Sequence, residues 1–295
     1  MRRLVFLAAT AGALSCTPKN PPSNPIPANL PVAPPAVPPV APPVAPSPTP
    51  GLHIGPSILH YVAHQALHAE QQLPGQATQI IDRGTKLFFT ATIVGPADSL
   101  GYRLTFTVDS IALDSGTTLP LSIDLHAAHG LVYDGRLTTS GASSLTLVSD
   151  STRAAAFVQL LGLLRTFYPR LPRTGLVPGA EWTDTTSADD RVVIDVMRRA
   201  VNNSHVATWE DRAGVRALRL DVASTYAVSG KGTQSNQPVE VTGSGTETTR
   251  HFIAADGRYL GAEGTDSSTI TVAFPYQTVS IPAVRVLRST IVAQP

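Results

Sequence analysis

Apolar and polar side chains alternate with a period of two through much of the chain beyond residue 51. Leu87, Phe89, Ala91 and Ile93 fall on one face against Phe88, Thr90 and Thr92 on the other, and Tyr102, Leu104, Phe106 and Val108 repeat the pattern against Arg103, Thr105 and Thr107. That period predicts half-buried strands, with the connection from Pro96 to Gly101 as a hairpin loop. A third run places Leu218, Leu220, Val222, Tyr226 and Val228 on one face, interrupted by Ser224 and opposed by Arg219, Asp221 and Thr225. Val239 and Val241 lead into Gly243-Ser244-Gly245, and Arg250 to Ile253 returns through Asp256-Gly257, a strong hairpin signal, to Tyr259 and Leu260. Strands at 269–274 and 284–292 complete an antiparallel meander, with Pro282 marking an edge or a bulge.

One segment departs from this period. After Asp150 and Ser151, both good amino-terminal caps, Phe157, Leu160, Leu161, Leu164 and Tyr168 recur at helical spacing, and Pro169 ends the run. The pattern predicts a helix over about 152–168, apolar around more than half its circumference and therefore packed against the sheet. The expected fold is mainly β: an antiparallel, half-barrel-like meander with one apolar helix laid over it. Such an arrangement encloses either a filled core or a cavity, and Phe157, Leu160, Leu164 and Trp182 are the candidate ligand-binding side chains in the second case.

The first fifty residues belong to no core. Met1-Arg2-Arg3 precedes an apolar run from Leu4 to Leu14, the length of a signal-peptide core and too short for a spanning helix. From Pro18 to Pro50 proline dominates in an irregular Val-Ala-Pro-Pro repeat, which excludes helix and sheet and predicts a disordered, polyproline-II-rich leash reaching roughly 100 Å when extended. Three segments follow: a signal peptide (1–15), a leash beginning at Cys16 (16–50) and a β-rich globular domain (51–295). That domain is long enough to be stable without disulfides or metal, and the single cysteine provides neither. The chain carries 22 basic and 21 acidic side chains. Loss of Arg2 and Arg3 with the signal leaves 20 against 21, so the sequence predicts no nucleic-acid partner.

Ala13-Leu14-Ser15-Cys16 resembles the lipobox read by the lipoprotein signal peptidase, although the commonest form has Leu three places before the cysteine and Gly or Ala directly before it. The resemblance implies cleavage before Cys16 and acylation of its thiol, which makes the membrane a partner through the lipid. Thr17, rather than the Asp that resembles an inner-membrane retention signal, favours the outer membrane. The order of Phe167-Tyr168-Pro169-Arg170-Leu171-Pro172, Leu176-Val177-Pro178-Gly179 and Trp182 between a helix and a run of strands resembles uncharacterised secreted bacterial lipoproteins. In layout it is similar, more distantly, to the Lol-type lipoprotein carriers, whose half-barrel holds acyl chains. The implied role is non-catalytic binding of an apolar ligand or lipid, the alternative being a structural or assembly lipoprotein that bridges the membrane to an envelope protein partner.

Candidate chemistry is sparse. His60, His64 and His68 recur every four residues; on a strand they stand too far apart for one ion, and on a helix the first and last are about 12 Å apart. His126, His129 and Asp124 hold the elements of base catalysis but lack a nucleophile elbow. Gly230-Lys231-Gly232-Thr233 sits between strands and reads as a turn, not a phosphate loop. The sequence predicts no enzyme, cofactor or metal site.

Overall fold

A computed structural model describes residues 51–98, 101–117, 124–141, 143–147, 151–157, 162–191, 194–234 and 237–294. The signal segment, Cys16 and the leash lie outside them. The strands are β1 (Ser57–Gln71), β2 (Gln79–Asp98), β3 (Gly101–Leu113), β4 (Val132–Leu137), β5 (Ser143–Leu147), β6 (Glu181–Arg191), β7 (Ile194–Arg212), β8 (Val215–Gln234), β9 (Gln237–Ala254), β10 (Tyr259–Phe274) and β11 (Val279–Gln294). They form one open antiparallel sheet in the order β5-β4-β3-β2-β1-β11-β10-β9-β8-β7-β6. Each half is a meander of neighbouring hairpins, and the first and last strands meet at the centre through a register running from His60↔Gln294 to Gln71↔Ala283. The segment between β5 and β6 therefore crosses from one edge of the sheet to the other.

Alternation decides which side chains face inward. On β3, Leu104, Phe106 and Val108 are all fully buried, and an extra residue at Asp109 shifts the register against Phe88 and Phe89 before Ile111 turns in again. A second shift, between Tyr259 and Gly261, turns Tyr259 to the same side as Ile253. Gly261 makes this possible: its φ is +117°, and a Cβ there would stand 2.0 Å from the carbonyl oxygen of Ile291.

The crossing segment fills one end of the inner face. The Phe167 ring stands edge-on to Tyr61, Phe89, Phe106, Tyr168 and Tyr259, with centroids 4.7–5.3 Å away and interplanar angles of 80–85°, the geometry favoured by aromatic quadrupoles. Phe106 and Tyr259 both sit about 5 Å from that one ring although β3 and β10 are four strand spacings, about 19 Å, apart in a flat sheet. The sheet is curled, with its concave face towards the crossing segment. A second buried cluster of Val196, Ala200, Tyr226, Val228, Val239, Val241, Phe274 and Ile281 lies on the same face near the opposite end of the long strands.

The mainly β, antiparallel expectation is met, and the Asp256-Gly257 turn joins β9 to β10 with Gly257 at φ +86°. The crossing segment corrects the helix expected over 152–168. Helix α1 covers only Ser151–Ala155, and a separate 3-10 turn covers Gly162–Thr166; residues 158–161 lie outside the described residues. Gly162 weakens the expected helix, and a long helix turns only one stripe to a sheet. The bent path instead buries Ala154, Phe157, Leu164, Phe167, Tyr168, Leu171 and Leu176 together. Pro282 is likewise on neither an edge nor a bulge. It lies in the central strand β11, where β1 ends at Gln71 and the amide of Gln72 donates to the Pro282 carbonyl. Its missing N–H points to that same side, past the last β1 rung, and interrupts no pairing with β10.

Candidate functional site

Between the two buried clusters the concave face becomes polar. One row of inward positions runs Trp182, Ser204, Val222, Thr249, Gly264 and Ser289 across β6, β7, β8, β9, β10 and β11, each paired in register with the next. Above it stand Val206, Leu220, His251, Ala262 and Ile291, all in or against the core. Below it the next row reads Asp184, Asn202, Ser224, Glu247, Asp266 and Leu287.

A hollow of about 1090 Å³ is lined by residues of the same six strands. It is bounded by three consecutive residues from each of six strands, centred on Trp182, Ser204, Val222, Thr249, Gly264 and Ser289. The centre of each triplet faces the concave side and its two neighbours the other side, and the neighbours bring the charged or titratable Glu181, His205, Asp221, Arg250, Glu263 and Arg288 into the lining. Trp182 and Val222 pack against the main core, and Ser204, Thr249 and Ser289 stand in the same row. Gly264 lets its neighbours crowd the strand: a Cβ there would stand 3.0 Å from the Thr248 carbonyl oxygen, 3.0 Å from Thr249 Oγ1 and 3.5 Å from Ser289 Oγ.

The charges on the concave face beside this row are matched. Asn202 donates to Asp184 at 2.8 Å, and the Asn202 carbonyl accepts from Ser224 at 2.8 Å. Arg198 donates to Glu247 at 2.7 Å and stacks its guanidinium 4.0 Å above the Tyr226 ring. Asp266 accepts from the Tyr226 hydroxyl at 2.8 Å and from Arg285 at 3.3 Å, and Arg285 also donates to Ser268. Beside this belt His251 is buried and accepts from or donates to the Tyr259 hydroxyl at 2.9 Å. Burial pushes its imidazole down to about 3, so it is neutral at pH 7. Tyr61 donates to the Tyr259 carbonyl at 2.6 Å, and burial raises both phenols.

No family model matches the chain. No curated protein matches it either.

Of the side chains expected to hold a ligand, Trp182 alone lines the hollow. Phe157 and Leu164 are each 1% exposed inside the core that the crossing segment fills, and Leu160 lies outside the described residues. The remaining histidine candidates are engaged separately. His60, His64 and His68 point from the outer side of β1 to Thr90, Asp114 and Asp82 respectively, and among the described residues no cluster of three potential ligands exists. Asp124 accepts from the backbone N–H of His126 and caps a 3-10 turn, and His129 Nδ1 donates to the carbonyl of Asp109 that the β3 irregularity exposes.

The polar belt leaves only one local trace in the sequence. The apolar face of β8 is broken at Ser224, where the polar belt crosses it. Ser204, Thr249 and Ser289 read as ordinary polar strand positions until the pairing aligns them.

Proposed function

We propose that this chain is an exported lipoprotein, held to the outer membrane by a lipid on Cys16 and carried clear of it by the proline-rich leash, that binds a ligand without chemically changing it. The observation that carries this reading is the hollow across the six strands β6 to β11. It is open, large for a small-molecule site, and its lining combines Trp182 and Val222 with hydroxyl-bearing and charged residues. A half-barrel with a segment across its concave side is the layout that resembles the Lol-type carriers, and here Trp182 and Val222 supply the surface on which an apolar part of the ligand packs. Native mass spectrometry of the mature chain, purified gently from the envelope, is expected to show an adduct that Ser289→Phe, a bulkier residue in the lining, removes. A clean mass for both proteins sinks the binding reading.

One observation favours the structural alternative. The end of the concave face beneath the crossing segment is filled by Phe157, Leu164 and Phe167. The outer face carries a lattice of matched charges, Glu210 to Arg219, Arg219 to Asp221, and Arg250 to Glu263. A bridging protein uses such a face and needs no hollow, so crosslinks from the outer face to an envelope protein, together with a clean mass, support it.

A further inference from the structure

We infer that a second ligand contact lies on the concave face of β1 and β2, where Gln65, Arg83 and Thr85 take the single negative charge of an amphiphile, a carboxylate or phosphate head on an apolar tail. It does not rest on the hollow, whose lining ends at β11.

Three observations carry it. First, the pairing sets these side chains together. Gln65 pairs with Thr85 and Leu67 with Arg83, on strands whose alternation turns Tyr61, Ala63, Leu67, Leu87 and Phe89 inward. All three polar groups therefore face the concave side, beside Leu113, where β3 ends. Second, they are unspent: among the described residues Gln65, Arg83 and Thr85 make no side-chain hydrogen bond or ion pair. The nearest inward carboxylates are taken, Glu247 by Arg198 at 2.7 Å, and Asp266 by the Tyr226 hydroxyl at 2.8 Å and Arg285 at 3.3 Å. Desolvation, and after it the charge of Arg285, lowers the Arg83 pKa, and no carboxylate offsets them. Arg83 is half-buried and Arg285 buried, so an anion here relieves an unmatched charge that water only partly reaches, unlike one beside a solvated surface arginine. Third, the surroundings are apolar and only partly covered. Leu287 lies in the same row as Arg83 and Ile81 two residues along β2, both inward and half-buried, and Leu73 and Ile270 pack half-buried against the second cluster. A bare inorganic anion leaves that surface in water, whereas a tail covers it.

The test is calorimetry on the full mature chain with Cys16→Ser, so that it stays in solution. The probes are dodecanoate and dodecyl phosphate below their micelle concentrations, dodecanol as the uncharged tail, and inorganic phosphate as the head alone. One of the two anionic amphiphiles is expected to bind about tenfold or more tightly than dodecanol or inorganic phosphate. Arg83 has no partner to strand, so Arg83→Gln is expected to keep the urea midpoint. It is expected to weaken the anion about ten- to a hundredfold and to leave dodecanol unchanged. Arg83→Lys, which keeps the charge and loses the planar fork, is expected to fall between. Anion binding indifferent to Arg83→Gln overturns the inference, as does dodecanol binding as tightly as the anions. Binding lost in Ser289→Phe but kept in Arg83→Gln belongs to the hollow and overturns it too. Inorganic phosphate binding as tightly as dodecyl phosphate overturns the tail, and no binding of any probe overturns the site.

Discussion

His251 shows how a single side chain couples this fold to pH. Its imidazole is neutral and buried, held near 3 by desolvation, whereas in the unfolded chain it titrates near its ordinary value of about 6.5. Above that pH both states are neutral and the group contributes nothing to pH dependence. As the pH falls towards 3 the unfolded chain takes up the proton and the folded one does not, so stability is lost at about 1.4 kcal/mol per pH unit. In His251→Leu that slope is expected to flatten, at a cost at neutral pH of about 1–3 kcal/mol for the stranded Tyr259 hydroxyl. Denaturant unfolding of both proteins between pH 4 and 7 checks it, since every other titrating group is shared; parallel curves contradict it. Phe167 tests the same scale by packing. Its ring joins five others, so Phe167→Ala is expected to cost about 3–5 kcal/mol, and the shift of the urea midpoint reads it.

The hairpins were legible at the level of elements because each rests on a local signal. Asp256-Gly257 supplies the positive φ its turn needs, and the alternation on β3 and β8 assigns their inward faces directly. The pairing of β1 with β11 has no such signal, since it joins residues more than two hundred positions apart. The crossing segment misleads for a physical reason. Its apolar residues serve a path buried on several sides, and their recurrence imitates helical spacing without requiring a helix. The Tyr259/Gly261 irregularity is equally silent in the pattern, yet it sets Tyr259 against Phe167. Gly261→Ala is expected to destabilise by about 2–3 kcal/mol or more, because it combines strained backbone with a clash against Ile291. Thermal unfolding checks it, and a change below 1 kcal/mol contradicts the role given to the glycine. The polar belt behaves as a unit in the same way. Asp266→Ala leaves Arg285, 7% exposed, without its carboxylate, and is expected to cost about 3 kcal/mol, measured by the same unfolding experiment.

For the whole molecule the strand directions decide how the parts face. Gly51 donates its amide to Thr174, and Leu52 pairs with Leu176, at the end of the sheet where β11 also finishes. Gly51 therefore lies at the end closed by the crossing segment, and the hairpin tips near residues 72–78 and 275–278 face away from it. If Cys16 carries the lipid, Cys16→Ser is expected to move the protein from the membrane to the soluble fraction of an exporting cell and to abolish palmitate labelling; labelling that survives contradicts the tether. The hollow lies part-way along the sheet, between the closed end and the distal cluster. The most direct measurement is an experimental structure of the mature protein purified gently from its own envelope. The account predicts added density in the hollow, against the residues of β6 to β11 that line it. A hollow closed by its own side chains, or a ligand seated only elsewhere on the sheet, contradicts it.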